Sequence, residues 1–133
     1  MSLGIDHIGI AVRSIDEAKK FWVDQLGLKI TRVEDIPEQK VRVAILENGI
    51  ELLEPSSPDS PIGKFIEKRG EGLHHLTLQT DRLADRLKAL KAAGVSLIDE
   101  KPRIGASGAE IAFLHPKSAH GVLVELCEPH EAD

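Results

Sequence analysis

The stretch that decides the fold is Ile5-Asp6-His7-Ile8-Gly9-Ile10, which alternates between polar and apolar residues as a half-buried strand does. The same pattern returns in Leu73-His74-His75-Leu76-Thr77-Leu78, about 68 positions further along the chain. Such self-similarity indicates that the chain is built from two copies of one structural unit.

The repeat continues through the helix that follows each of these strands. Ser14 and Glu17 form a capping box, apolar residues then recur at helical spacing, and Gly27 is placed to end the helix. In the second copy, Asp81 is predicted to cap the helix and Gly94 to end it, at the same spacing. We therefore predict an equivalent helix in both copies.

Three strands complete each copy. The closing strands match, because residues 50–55 read IELLEP and residues 124–129 read VELCEP. An extended stretch and a middle strand precede each closing strand, at residues 28–30 and 41–46 and again at residues 95–97 and 110–114. Each copy is thus a βαβββ module of an α+β fold. We predict one domain over residues 1–133, with module one at 4–56, a linker helix at 60–69 and module two at 72–130.

The composition excludes several classes of function. The 133 residues carry a net charge of −5 and only 3% aromatic residues, so a surface for binding nucleic acid is not expected. The single cysteine, Cys127, cannot form an internal disulfide and suits a reducing cytoplasm. No apolar run approaches the ~20 residues that span a bilayer. We expect a cytoplasmic protein that has no membrane partner.

The parity of the strands places one His and one Glu of each copy on the face opposite the helices. Successive side chains of a strand point to opposite faces, so His7 lies opposite Ile8, and Glu51 lies opposite Ile50 and Leu52. His75 and Glu125 take the equivalent places in module two. If a pseudo-two-fold relates the copies, these four residues can converge in one cleft. Two imidazoles and two carboxylates suit a divalent ion such as Co, Mn, Ni, Zn or Fe.

Each of these residues also has an ordinary structural interpretation. A single strand His is more often a structural residue than a ligand, and a strand Glu is more often solvent-facing. Repetition at equivalent places favours the metal site. The strand parity of His74 sends it towards the helix side. His115, His120 and His130 have no counterpart in the other copy, so we expect surface or turn positions for them.

At this point the residues resemble a known family, the vicinal oxygen chelate superfamily, which includes glyoxalase I, extradiol dioxygenases, bleomycin-resistance proteins and the methylmalonyl-CoA epimerases. The epimerases are the most similar, over about Ile5 to Pro129. The stretches that favour them are Ser60-Pro61-Ile62, Gly70-Glu71-Gly72-Leu73-His74-His75 and Phe113-Leu114-His115-Pro116-Lys117. The resemblance implies a curved mixed sheet with helices outside and a metal cleft inside, and a homodimer.

The resemblance also implies an activity and a set of site residues. The metal ligands of the family match His7, Glu51, His75 and Glu125. The family reaction interconverts the C2 epimers of methylmalonyl-CoA by removing the α-proton, with the ion stabilising the enolate. Glu125 is the candidate catalytic acid–base group, through its uncoordinated oxygen. The chain departs from part of the family at Val43, where some epimerases carry an acid, so a water or Glu51 is the alternative second proton donor.

Further residues are expected to contact the acyl-CoA substrate. Gln39, assigned the parity of Val41 and Val43, matches a family position near the substrate. Lys117, in a turn between two strands, and Lys64, on the linker helix, are candidates for the coenzyme A tail. Ordinary surface lysines are an equally good interpretation of both.

Two other functions remain open on the sequence alone. A glyoxalase-like isomerase (lactoylglutathione lyase) uses the same ligands on a thiol adduct, and a non-catalytic small-molecule-binding protein uses the same fold without chemistry. An extradiol dioxygenase is disfavoured, because it needs iron held by two His and one carboxylate, and a fourth ligand would crowd oxygen.

Overall fold

The computed structural model describes residues 3–105 and 108–129, and the chain divides into two compact units. The first unit is His7–His74, and the second is Met1–Asp6 together with His75–Asp133. His130, expected at the surface and at the end of module two, lies outside the described residues. Within the described ranges, none of the helices is long and apolar enough to cross a membrane.

The first unit contains a four-stranded sheet in the order β2-β3-β4-β1. Strands β1 and β4 run parallel, and the other neighbouring strands run antiparallel. A single helical segment joins β1 to β2, and a second helix, α2, follows the sheet. The elements are β1 (Ile5–Ala11), α1 (Ile15–Lys19), β2 (Ile30–Ile36), β3 (Val41–Leu46), β4 (Ile50–Pro55) and α2 (Pro61–Arg69).

The second unit repeats this arrangement in the order β5-β8-β7-β6, with β5 and β8 parallel. Its elements are β5 (Gly72–Gln79), α3 (Leu83–Ala92), β6 (Arg103–Ile104), β7 (Glu110–Leu114) and β8 (Val124–Glu128). The first residues of the chain lie beside β5, where Gln79 N donates to Gly4 O at 2.7 Å and Gln79 Nε2 to Asp6 Oδ1 at 2.7 Å. The predicted α+β class with two βαβββ modules is confirmed.

The helix of each module covers the sheet face opposite the predicted glutamates. In the first unit, Ile15 of α1 packs on Ala44 and Leu52. In the second, Leu83 and Leu87 of α3 are fully buried against Ala112 and Leu126. Each fully buried leucine stabilises its unit by about 1.5–3 kcal/mol relative to an exposed one. Since Leu52 and Leu126 each follow a glutamate directly, Glu51 and Glu125 are left on the other face.

A glutamate of the closing strand fixes the start of each module's helix. Ile15 N donates to Glu54 Oε1 at 2.7 Å, and Leu83 N donates to Glu128 Oε1 at 2.8 Å. Both carboxylates therefore accept a first-turn N–H at the positive end of a helix. The prediction that Asp81 caps α3 is wrong, because Arg82 occupies the cap position with a left-handed φ of 48° and Glu128 supplies the acceptor. These contacts tie each closing strand to its helix.

The helix of module one and the strands after the helices also differ in part from the prediction. Ser14 caps α1 through Glu17 N as expected, but the α-helix gives way to a wider π-helical segment, Lys20–Gln25, before Gly27. The stretch at 28–30 reaches strand geometry only at its last residue, where β2 begins. The stretch at 95–97 contributes one bridge, from Leu97 to Leu114, and the paired strand in that position is β6.

Candidate active site

The first unit brings His7 and Glu51 together. The parallel register of β1 and β4 pairs Gly9 with Glu51, and His7 stands two residues before Gly9 on the same face. The Nδ1 atom of His7 lies 3.4 Å from Oε2 of Glu51, and the two side chains are 15% and 19% exposed. This pairing agrees with the predicted placement of one imidazole and one carboxylate on the face opposite α1.

The second unit brings His75 and Glu125 together in the same way. Thr77 is the register partner of Glu125, and His75 stands two residues before Thr77. The Nε2 atom of His75 lies 3.7 Å from Oε1 of Glu125, with side chains 9% and 10% exposed. The hydroxyl of Thr77 donates to the same Oε1 at 2.5 Å, within the range of a hydrogen bond to a charged carboxylate. Sequence reasoning missed this contact, although Thr77 shares the parity of His75.

An aromatic side chain and a cationic side chain lie next to the pair of His75 and Glu125 on the same face of the sheet. Phe113, the register partner of Glu125 on β7, meets the ring of His75 edge-on at 6.3 Å between centroids. The guanidinium of Arg103 lies 5.4 Å from the Phe113 ring centroid. The Nε atom of Arg103 donates to Asp99 Oδ2 at 3.3 Å. Nothing in the local sequence around β6 marked Arg103, because only the strand register shows that it shares the face of Glu125.

Val43 lies on the same face as Glu51 but in a hydrophobic cluster. Its register partner is Leu53, which stands two residues after Glu51. Helix α2 covers this end of the face, so Val43 is buried with Leu53, Ile62 and Ile66. The cluster around Val43 is apolar, although Glu34 is its register partner on β2. The Val43 side chain itself cannot transfer a proton.

The predicted substrate-binding residues are all exposed, two of them in turns and one on a helix. Gln39 ends a short 3-10 turn, Pro37–Gln39, and Lys40 follows it with a left-handed φ of 53°, so the alternation of β3 does not extend to Gln39. The parity assigned to Gln39 is therefore wrong. Lys117 lies in the 3-10 turn Pro116–Ser118, and Lys64 lies on the exposed side of α2.

The other described histidines have structural surroundings. His115 is exposed, and its Nδ1 accepts the backbone N–H of Lys117 at 3.0 Å, which caps the turn between β7 and β8. His120 is exposed with a φ of 58°. His74 packs edge-on against Phe65 of α2, with ring centroids 5.0 Å apart, and its burial lowers its pKa. These positions agree with the structural interpretation of all three.

The two His–Glu pairs have the chemistry of metal ligands. Two ligand atoms that share an ion at ~2.1 Å are about 3.0 Å apart at a right angle and about 3.4 Å apart at a tetrahedral angle. The separations of 3.4 Å and 3.7 Å are close to these values, so each pair could bind a cation after little movement. Imidazole nitrogen and carboxylate oxygen together suit the borderline divalent ions.

Comparison with known proteins gives consistent matches. A family model described as the glyoxalase/bleomycin resistance protein/dioxygenase superfamily matches residues 6–113. The uncharacterized protein YqjC of Bacillus subtilis (strain 168) is 49% identical over 128 residues, which are 94% of this chain and 91% of that protein. The mitochondrial methylmalonyl-CoA epimerase of Mus musculus is 36% identical over 126 residues, 92% of this chain and 71% of that protein. A solved methylmalonyl-CoA epimerase in complex with methylmalonyl-CoA and NH4+ has 37% identity and a TM-score of 0.88, covering 99% of both chains.

Proposed function

Because this chain belongs to the glyoxalase/bleomycin resistance protein/dioxygenase superfamily, we propose that it epimerises methylmalonyl-CoA at C2 by removing and returning the α-proton. The predicted resemblance to the methylmalonyl-CoA epimerases is confirmed, as is the isomerase class to which those relatives belong. The observation that carries the proposal is the pair of His–Glu contacts, one per module, in a chain similar to a substrate-bound epimerase over nearly its whole length.

His7, Glu51, His75 and Glu125 are the proposed ligands of one divalent ion. The donor set is two neutral nitrogens and two carboxylate oxygens, which suits Co, Mn, Ni, Zn or Fe and leaves coordination positions open on a six-coordinate ion. Each module contributes equally, one donor from its first strand and one from its last. When bound, the ion would supply Lewis-acid polarisation of the substrate carbonyl, which makes the α-proton more acidic.

Glu125 is the proposed acid–base residue. Its side chain is 10% exposed. Its Oε1 atom accepts a hydrogen bond from the Thr77 hydroxyl and lies 3.7 Å from Nε2 of His75. A carboxylate whose one oxygen is held in this way presents the other in a defined direction. A general base must come within about 2.6–3.2 Å of the proton that it removes, so a defined direction favours the transfer.

The proton that returns from the opposite side needs a second donor. Val43 cannot supply it, because it is an apolar side chain inside the cluster with Leu53 and Ile62. We propose Glu51 for this role, with a water molecule as the alternative. Glu51 is more exposed than Glu125, at 19% against 10%, which suits a group that exchanges protons with solvent.

The coenzyme A part of the substrate is proposed to contact exposed residues. Lys117 and Lys64 carry the positive charge that a phosphate would require, and Gln39 offers an amide that orients without titrating. We further expect a cytoplasmic homodimer. The family resemblance supports the dimer and the cysteine usage supports the compartment, and light scattering on the purified chain tests the dimer.

The decisive experiment follows the C2 proton of methylmalonyl-CoA in D2O by NMR with Co2+-loaded protein. We expect exchange with the wild type, and weaker Co2+ binding by about tenfold or more in His7→Ala and His75→Ala. Glu110→Gln is the matched carboxylate control, since Glu110 is exposed and pairs with Glu128 on the helix side of the sheet. The absence of exchange with all five divalent ions would exclude the epimerase.

Two further arms separate the alternatives. Glu51→Gln should continue to exchange the proton of one epimer while interconversion stops, if Glu51 is the second donor; unchanged interconversion assigns that role to water. Turnover of the hemithioacetal of methylglyoxal and glutathione, without exchange of methylmalonyl-CoA, would favour a glyoxalase-like isomerase. Binding of acyl-CoA without turnover of either substrate would favour a non-catalytic binding protein.

A further inference from the structure

The two modules differ at the residue that faces each glutamate. In module one, Gly9 is the register partner of Glu51, and in module two, Thr77 is the register partner of Glu125. Both residues stand two positions after the proposed histidine ligand of their module. Gly9 has no side chain, so this position supplies no hydroxyl to Glu51. Thr77 supplies one to Glu125.

The contact between Thr77 and Glu125 has the features of a fixed, charge-assisted hydrogen bond. The distance from Oγ1 to Oε1 is 2.5 Å, and Thr77 and Glu125, taken as whole residues, are 0% and 8% exposed. Threonine is β-branched, so few χ1 rotamers are open to it, and its hydroxyl lies in a nearly constant position. A hydrogen bond in such surroundings is worth more than one at the surface.

The oxygen that Thr77 holds is also the one nearest to His75. Oε1 of Glu125 lies 3.7 Å from Nε2 of His75 and accepts the hydroxyl of Thr77. The terminal torsion of a glutamate is otherwise broad and roughly two-fold, so the carboxylate plane is free to turn. The Thr77 hydroxyl therefore selects one orientation of that plane and keeps Oε1 on the side of His75.

We propose that Thr77 is a positioning residue that orients the Glu125 carboxylate for metal binding and proton transfer, and that it makes the two glutamates inequivalent. The expected effect of Thr77 on proton transfer rests on the proposed function. Its expected effect on metal binding can be measured without knowing the substrate. Residues that orient metal ligands typically change metal affinity or activity by about 10–100-fold when they are removed.

Thr77→Val tests the proposal, because valine keeps the shape of threonine and removes only the hydroxyl. We expect the dissociation constant for Co2+, measured by titration of the visible absorption bands, to rise about tenfold, with a changed band intensity. We expect kcat to fall by about tenfold or more and KM to change by less than about threefold. Thr77→Ser retains the hydroxyl and should restore both quantities to within about threefold of the wild type.

Thr80→Val is the matched control. Thr80, which directly follows β5, is also a buried threonine, but its hydroxyl donates to Asp81 O at 2.9 Å and accepts from Arg86 Nε at 2.7 Å. Its loss should lower stability without changing the Co2+ spectrum or kcat. If Thr77 had a purely structural role, Thr77→Val would likewise lose stability and keep the wild-type Co2+ spectrum and kcat.

Each outcome supports or overturns the proposal. Wild-type Co2+ affinity, spectrum and kcat in Thr77→Val would overturn it. If Thr77→Val does not fold, Thr77→Ala is compared with Thr77→Ser, and equal Co2+ affinity in those two variants overturns it. Wild-type protein that binds Co2+ but exchanges no α-proton refutes the proposed function alone, since the Co2+ titration still decides the role of Thr77. Wild-type protein that binds no Co2+ refutes both.

Discussion

Replacing Glu128 by alanine removes the acceptor for the first N–H of α3. The bond from Leu83 N to Glu128 Oε1 is 2.8 Å long, and Leu83 itself is fully buried, so solvent replaces the lost acceptor poorly. Loss of a helix-capping acceptor costs about 1–2 kcal/mol. Glu128→Gln keeps an acceptor oxygen but removes the charge that complements the helix dipole, and should cost about 0.5–1 kcal/mol.

The same reasoning applies to Glu54, which accepts the N–H of Ile15 at 2.7 Å in module one. Glu54→Ala should therefore lower the free energy of unfolding by a similar amount. The two contacts share no residue, so the double variant should lose approximately the sum of the single losses. For a domain of this size, each kcal/mol lowers the melting temperature by about 3–5 °C.

Urea unfolding followed by circular dichroism measures these losses at neutral pH. Glu110→Ala is the control, because Glu110 faces Glu128 across the β7–β8 pair and its removal relieves a contact between like charges. It should leave the free energy of unfolding unchanged or slightly higher. If the free energy of unfolding of Glu128→Ala is within about 0.3 kcal/mol of the wild-type value, Glu128 does not stabilise the start of α3. The argument from the helix dipole then fails.

Three further predictions concern the linker region and the core. Gly63→Ala should cost about 1–3 kcal/mol, since its new Cβ would lie 2.6 Å from the backbone oxygen of Pro58. A hydrogen bond from Lys40 Nζ at 2.8 Å and a bond from the Ser57 hydroxyl lower the pKa of Asp59 from 3.8 to about 2. Because the unfolded carboxylate takes up its proton at a higher pH, the wild type should lose stability as the pH falls from about 4 to 2, and Asp59→Asn should lose less. Leu87→Ala should cost about 2–5 kcal/mol, because this residue is fully buried against Leu126.

Urea unfolding checks the first and last of these, and acid titration of stability checks the second. Gly4→Ala is the control for Gly63, since a Cβ there would meet nothing within 4 Å. Leu26→Ala is the control for Leu87, because Leu26 is 52% exposed. Equal losses at Gly4 and Gly63, or at Leu26 and Leu87, would contradict the packing arguments. Identical acid profiles for wild type and Asp59→Asn would contradict the assigned pKa.

The repeat and the strand alternation carried most of the sequence-based prediction. Alternation is a local property, so His7 could be assigned to a face from its neighbours alone. The contacts that the sequence did not reveal join distant residues, as Glu54 and Glu128 do with the helix starts, 39 and 45 positions away. The parity of Gln39 failed for a local reason, because the left-handed Lys40 interrupts the strand.

The partner of Glu125 illustrates the same division. The parity of the strand already placed Thr77 beside His75, but only the parallel register of β5 and β8 shows that its hydroxyl meets Glu125. Register between parallel strands depends on the crossover and its helix, which no short sequence pattern specifies. Arg103 belongs to the same class, since its position follows from the pairing of a two-residue strand.

The parallel pairing inside each module has a consequence for the order of folding. Ile8 meets Ile50 and Leu76 meets Val124, so the chain must close a loop of more than forty residues before either pair forms. The antiparallel ribbons β2-β3-β4 and β6-β7-β8 join shorter stretches and should form earlier, because closing a shorter loop costs less entropy. In each module the proposed histidine ligand lies on one strand of this parallel pair and the proposed glutamate ligand lies on the other. The two ligands are therefore brought together only when the parallel pair forms. A divalent ion that binds there would slow unfolding without speeding folding.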